Sequence, residues 1–406
     1  MVWFVFRFFA TMFVSFGAAA SLPVPFWSCP KPNASKPLGG YRKLNVSFTS
    51  AVYLANISFG TYNHNVQLDY QSNVGFVVAW KNGLADEDEN GQRILLSTSA
   101  DARVWNAIQT VFPNLTTSEM KAVMEPSPFI RVNGRVYAAA SPGVFNRTHD
   151  ASAQGSQCSL WPSPLDPRNC GPPTDENPIL HYKHTLLLRE VRQGGSLGEM
   201  FWASYEAPKL FAGATRKFNI PTLRQMDSQT QNDVQTMRTA NRDLLCSGSD
   251  ASFKCEICQN GCQVLLGVND TFGIGAESAY WTAAGKDWDL MAYRCSHPVL
   301  ATSTRVYGAS QAGWGKQVTL SNIPNAFSNL NAGRLPDGRT YLLNNPVVPL
   351  NGNGRDPLTL ATSKDGFQFD SVGVVMTCSD LPKSNCTSRF KIKTPGPSYP
   401  QGMDGN

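Results

Sequence analysis

The sequence predicts an all-β fold of the propeller kind, and three observations carry that reading. Short runs of β-branched and aromatic residues, each closed by Gly, Asn, Asp or Pro, recur through most of the 406 residues. Such spacing over this length exceeds one sandwich or barrel but suits four-stranded blades set around an axis. Helical periodicity is scarce, its best stretch running from Thr222 to Leu245. The third observation is a repeat: Ser99-x-Asp101-x-x-x-Trp105 and Ser363-x-Asp365-x-x-x-Phe369 share one spacing, each after an apolar strand ending in Thr-Ser. In such a hairpin the Asp carboxylate takes backbone N–H groups of the turn while the aromatic ring packs beneath. An eroded third copy without the Asp reads at Tyr307–Trp314.

The elements follow in chain order. Residues 1–20 are apolar, carry one charge at Arg7 and end in Ala18-Ala19-Ala20, which reads as a cleaved signal peptide. A membrane anchor is the rival reading, because the stretch is nearly long enough to span a bilayer. Residues 21–40 form a Pro-rich segment, and 41–406 the propeller. Expected strands include Val74–Trp80, Gln92–Ser99, Gly134–Ser141, His184–Val191, Glu199–Tyr205, Gly338–Asn345 and Pro357–Ser363. Ten cysteines, an even number in turn-like sequence, point to disulfides in an oxidising compartment. Cys158 with Cys170 and Cys378 with Cys386 read as local pairs. Cys246, Cys255, Cys258 and Cys262 read as two disulfides in an insertion at about 246–262; zinc is disfavoured because the C-x-x-C lacks a second at finger spacing. N-x-S/T acceptors stand at Asn33, Asn45, Asn56, Asn114, Asn146, Asn269 and Asn385, consistent with secretion. The expected place is extracellular, or alternatively an endomembrane lumen or an anchored state.

Charged residues make up 16%, below the roughly 25% usual in soluble domains, and the formal net charge is +5 without a Lys/Arg run. Nucleic acid is excluded as a partner on that ground. At 42% hydrophobic the chain is also too apolar to be disordered.

The repeated turns resemble the Asp-box (BNR-repeat) turns of the sialidase, or neuraminidase, superfamily. The stretches Trp80–Trp105, Asn322–Pro346 and Arg355–Asp370 resemble its first-blade and late-blade segments in the same order. The resemblance implies a six-bladed propeller. Its last blade is expected to be incomplete at the carboxyl end, or completed by amino-terminal strands around Val46–Ile57.

A sialidase holds its substrate carboxylate with three arginines, whose planar forks match that group bidentately. A tyrosine activated by a glutamate attacks the sugar, and an aspartate is acid/base. Carried over by residue, the resemblance assigns Tyr399 as nucleophile, Glu277 as its activator, and Arg294 and Arg355 as clamps. The first-blade arginine is absent: Gly60–Tyr70 places His64 there, with Tyr62 and Asn63 beside it, and the FNIP of Phe218–Pro221 carries Asn219 instead. His64 is an acid/base candidate, since imidazole titrates near neutral pH, or else a hydrogen-bonded rim residue. In the loop Asp86–Glu89, Asp88 is the chosen proton donor, against a solvated or calcium-attracting loop. Trp281, with Trp80 and Trp202, is an expected sugar-stacking residue. No cofactor is expected, with a structural calcium as the open alternative, and the chain is expected to be a monomer acting on a glycan or acidic polysaccharide.

Three functions compete. The leading one is a secreted glycoside hydrolase releasing a terminal acidic sugar. The others are a uronide-acting polysaccharide lyase and a non-catalytic glycan-binding propeller.

Overall fold

The computed structural model describes residues 23–47, 62–83, 91–118, 121–145, 186–241, 278–283, 287–294, 298–306, 319–326, 328–347 and 355–380, with Val52, Gly60, Gly285, Pro397 and Pro400. These residues are mostly β, arranged in four sheets that are antiparallel meanders in sequence order. The first holds β2 (Tyr62–Gln71), β3 (Gly75–Gly83), β4 (Arg93–Ser99) and β5 (Gln109–Phe112). The second holds β6 (Lys121–Val132), β7 (Arg135–Phe145), β8 (Leu187–Val191) and β9 (Leu197–Trp202). The third holds β10 (Ser278–Thr282), β11 (Trp288–Tyr293), β12 (Val299–Val306) and β13 (Thr319–Pro324). The fourth holds β14 (Asn331–Arg334), β15 (Thr340–Asn344), β16 (Leu358–Ser363) and β17 (Gln368–Met376), with β1 (Phe26–Trp27) added in parallel to β17.

The strand pattern explains the packing. Along β3 and β4, Val77, Ala79, Ile94 and Leu96 face one side while Val78, Trp80 and Leu95 face the other, so both faces are covered. The first face joins Phe112, Met124, Leu187 and Trp202 in a core shared by the first two sheets. The third and fourth sheets share a second core around Trp281, Leu290, Ile323, Leu342 and Phe369. Between β6 and β7, Asn133 and Gly134 both take positive φ (49° and 77°), the pairing a two-residue hairpin needs.

The two Ser-x-Asp turns have one geometry. Asp101 Oδ1 accepts from the N–H groups of Arg103 (2.8 Å) and Val104 (3.1 Å). Asp365 Oδ1 accepts from those of Phe367 and Gln368, both at 2.8 Å. The residue after each aspartate is left-handed: Ala102 at φ 59° and Gly366 at φ 80°. The expected aromatic packing is complete in the second turn, where Phe369 is fully buried edge-on to Trp281, and partial in the first, where Trp105 is half-buried. The third copy at Tyr307–Trp314 lies outside the described residues.

The fourth sheet is extended by the amino-terminal segment, but by different residues from those expected. Phe26 and Trp27 pair with Gln368 and Phe369, and Val374 exchanges backbone hydrogen bonds with Arg42 and Leu44. Asn322 of β13 holds the same strand from the other side: its Oδ1 accepts from Trp27 N–H (2.7 Å) and its Nδ2 donates to Trp27 C=O (2.9 Å). Trp27, Cys29 and Tyr41 are buried in the second core, so the described part of the Pro-rich segment is continuous with the sheets. Of Val46–Ile57, Val46, Ser47 and Val52 are described, and none lies in a strand.

The single predicted helix divides. A 3-10 turn at Leu223–Gln225 ends at Met226, and helix α2 (Ser228–Asn241) begins after Asp227, which caps Thr230 N–H at 2.8 Å. Asn241 is the last described residue of this stretch. A short helix that periodicity missed, α1 (Ala212–Phe218), ends at Asn219 with φ 49°. The FNIP stretch is therefore a helix cap and not a strand. Among the described residues no helix is long and apolar enough to cross a membrane.

The cysteine reading also changes. Cys29 is a free, buried thiol whose pKa is pushed up to about 11, first by burial and then by Asp370. Cys378 is disulfide-bonded, and its expected partner Cys386 lies outside the described residues, as do Cys158, Cys170, Cys246, Cys255, Cys258 and Cys262.

Candidate active site

Strand order decides where site residues fall. In each meander the start of the first strand, the end of the second and the start of the third lie at one end, and both Ser-x-Asp turns close the opposite end. Tyr62, Asn63 and His64 open β2, Arg294 follows β11 and Arg355 precedes β16. Each thus stands at the end of its sheet away from the Ser-x-Asp turns.

The third and fourth sheets keep the same sense, as do the first and second. Asn344 Nδ2 donates to Pro324 C=O (2.7 Å) and Ala326 N–H to Asn345 C=O (2.7 Å), joining the Arg294 end of the third sheet to the Arg355 end of the fourth. Asn65 Nδ2 donates to Glu125 Oε2 (2.7 Å), joining the first sheet to β6.

On the fourth sheet one buried amide gathers two segments. Asn345 Nδ2 donates to the carbonyls of Arg355 (2.8 Å), Pro357 (3.0 Å) and Pro397 (3.0 Å). It holds the buried Arg355 beside the stretch that reaches Tyr399 two residues later. Asp356, joined to Pro357 by a cis peptide, has its pKa raised by burial.

On the first sheet, Asn63 Oδ1 accepts from Trp80 Nε1 and Asn82 Nδ2, both at 3.0 Å, and Arg93 Nε donates to Asn82 Oδ1 at 2.9 Å. These bonds fix the first turn of chain that leads to His64. His64 pairs directly with Lys81 of β3, and the Tyr62 and His64 rings lie 5.5 Å apart.

Sequence reasoning missed Lys81 and Glu125. Lys81 is fully buried, ion-paired to Glu125, with Nζ 5.9 Å from the centre of the Tyr62 ring. A charged group so enclosed requires a partner, and Glu125 supplies it from the neighbouring sheet. The available signal was a lysine following VGFVVAW in a strand covered on both faces.

The expected stacking role of Trp281 is corrected. Its ring is 3% exposed, Nε1 donates to Gly366 C=O (2.9 Å), and the indole packs in the core behind a Ser-x-Asp turn. Trp80 and Trp202 are buried too. Tyr399, Glu277 and Asp88, with the rest of the Asp86–Glu89 run, lie outside the described residues; Glu277 immediately precedes β10 and Asp88 falls between β3 and β4.

No protein-family model matches the sequence, and no curated protein matches it. Among solved structures, a sialidase superposes with a TM-score of 0.54 at 16% identity, covering 87% of this chain and 30% of that one. A Trypanosoma rangeli sialidase matches with a TM-score of 0.41 at 11% identity, covering 76% of this chain and 47% of that one. A Hadza microbial sialidase matches at 0.38 and 9%, covering 76% and 57%. The chain thus spans well under two thirds of the length of each of these proteins. The architecture, with its meander sheets and few helices, is sialidase-like in fold.

Proposed function

We propose that the chain is a secreted glycoside hydrolase of the sialidase type, built as a six-bladed propeller with Asp-box turns, that releases a terminal acidic sugar from glycans. The observation that carries this reading is the Asn345 amide, which draws Arg355 and the approach to Tyr399 to the sheet end opposite the Ser-x-Asp turns. The resemblance supplies the roles. Arg294 and Arg355 grip the substrate carboxylate, with Tyr62 and Asn63 bordering the sugar. Glu277 takes the phenolic proton as the Tyr399 oxygen attacks the anomeric carbon, and the glycosidic C–O bond breaks. Asp88 or His64 gives a proton to the leaving oxygen, then takes one from the water that releases the sugar. The seven asparagine acceptors, the remaining disulfides, a monomeric state and an extracellular place belong to the same proposal; Asn33 and Asn45 are exposed, as glycan carriers must be.

The test is turnover of a fluorogenic sialoside. Tyr399→Phe keeps the ring and deletes the attacking oxygen, so turnover is expected to fall at least about a hundredfold while an unreactive sialic-acid analogue still binds. Arg355→Lys loses the bidentate fork and is expected to raise KM more than it lowers kcat. A correctly disulfide-bonded wild type that cleaves no acidic glycoside removes the enzyme reading.

One observation favours a second reading, a glycan-binding propeller without turnover. Lys81, the buried cation paired in register with His64, is neutralised by Glu125 within the protein. In that case sialoside analogues bind and no product forms.

A further inference from the structure

Charge is unevenly placed along the chain. Residues 1–68 hold five Lys and Arg and no Asp or Glu, and residues 381–403 hold four more and again no acid. The whole chain is only +5, so the rest of it is net acidic. The first stretch packs on β17 through Phe26, Trp27 and residues 42–44, and the second follows Asp380, which ion-pairs with Lys43. Within 23–47, Lys31, Lys36 and Arg42 are exposed. So are Val24, Phe26, Leu44 and Val46, four of the eight exposed large apolar side chains among the described residues. Register sets the direction of two of them. Trp27 pairs with Phe369 and both lie in the second core, so Phe26 turns away from it together with its own partner Gln368. Leu44 lies against Gly373, which adjoins the core residue Val374 and faces the other way, so it shares the outward face with Phe26.

We propose that this face docks on an anionic lipid surface. Lysine and arginine are drawn to anionic headgroups, and apolar side chains enter the boundary between headgroups and acyl chains. An anionic polymer in water answers the cations but leaves Phe26 and Leu44 exposed. A second copy across a two-fold axis covers the apolar side chains but sets like charges against each other. The cations and the apolar side chains together therefore select a charged bilayer. Asn33 and Asn45, proposed glycan carriers, lie in the same segment, so glycan occupancy and docking compete. Docking does not depend on the proposed hydrolase.

Co-sedimentation of the full chain, freed of N-linked glycans, with lipid vesicles tests the surface. Phosphatidylcholine vesicles containing about one third phosphatidylserine are expected to carry the chain down at low salt, and pure phosphatidylcholine vesicles are not. The triple variant Lys31→Gln, Lys36→Gln, Arg42→Gln is expected to lower partitioning about a hundredfold, and Val24→Ser with Phe26→Ser about tenfold. Thermal unfolding checks that both variants fold, and both should turn over a small soluble sialoside as wild type does. Residues 1–20 are unchanged in the two variants, so binding through that apolar stretch survives them and overturns the proposal. Equal binding to neutral and anionic vesicles overturns it too. Absence of vesicle binding, with retention on heparin that the triple variant loses, assigns the cations to an anionic polymer and also overturns it. A chain that sediments with anionic vesicles as expected but cleaves no sialoside upholds the surface and removes the hydrolase.

Discussion

Lys81 has no exposed surface, and the free energy of its ammonium group depends on Glu125. Removing one partner of such a pair strands a buried charge, so Glu125→Ala is expected to cost about 3–5 kcal/mol in chemical denaturation. Replacing both, as Lys81→Met with Glu125→Leu, should recover most of that loss, because two apolar side chains need no compensation. A single-variant cost below about 1 kcal/mol contradicts the pairing. Asp365 gives a pH prediction. Burial acts to raise its pKa, but the N–H groups of Gln368 and Phe367 and the Ser363 hydroxyl outweigh it and hold the pKa below the ordinary value. A depressed carboxylate adds stability above its unfolded pKa of about 3.9 and loses it as pH falls through the lower folded value. The acid-side drop in thermal midpoint should therefore be smaller in Asp365→Asn than in wild type, and an unchanged profile would refute the assignment. Trp281 shows what residue-level reading overlooked. Along β10 and the residue after it, Trp281 shares one face with Ala279 and Ala283, a period of two that marks a core position as readily as a ligand platform.

Two elements are fixed by contacts far apart in sequence, and neither was legible there. β1 is two residues long, too short for any strand signal, and is held by β17 on one side and the Asn322 amide on the other. Trp27→Ala removes a buried indole from the second core and is expected to cost about 3–5 kcal/mol. Asn322→Leu removes two hydrogen bonds to the Trp27 backbone, for a loss of about 1–3 kcal/mol. If both leave the unfolding midpoint unchanged, the segment does not secure the fourth sheet. Helix α2 is anchored in the same manner. The fully buried Asp233 accepts from Asn133 Nδ2 (2.8 Å), Arg135 Nη1 (2.8 Å) and the Tyr137 hydroxyl (2.7 Å), which ties the helix to the second sheet. The strands themselves were readable, since VGFVVAW, QRILLSTS and PLTLATS became β3, β4 and β16 with shifts of a few residues at their ends. Runs of β-branched residues bounded by turn formers decide that much locally. Helix ends were less readable, because Asp227 competes for the cap within the periodic stretch.

At the scale of the molecule, the parity of the meanders does what no local motif can. Once strands are delimited, Tyr62–His64, Arg294 and Arg355 all fall at sheet ends opposite the Ser-x-Asp turns. The sequence carried that information in its strand boundaries. It did not carry the Asn345 amide, which links positions 355 and 397 across a gap that no periodicity spans. These ends are proposed to form one site for an acidic sugar. A crystal structure of the disulfide-intact protein with an unreactive sialic-acid analogue tests it most directly. The ligand carboxylate is expected within hydrogen-bond distance, about 2.7–3.2 Å, of both the Arg294 and Arg355 guanidiniums, with the Tyr399 oxygen facing the anomeric carbon. Guanidiniums separated by more than about 15 Å, well beyond the reach of one carboxylate, or a ligand seated at the Ser-x-Asp end, would contradict it.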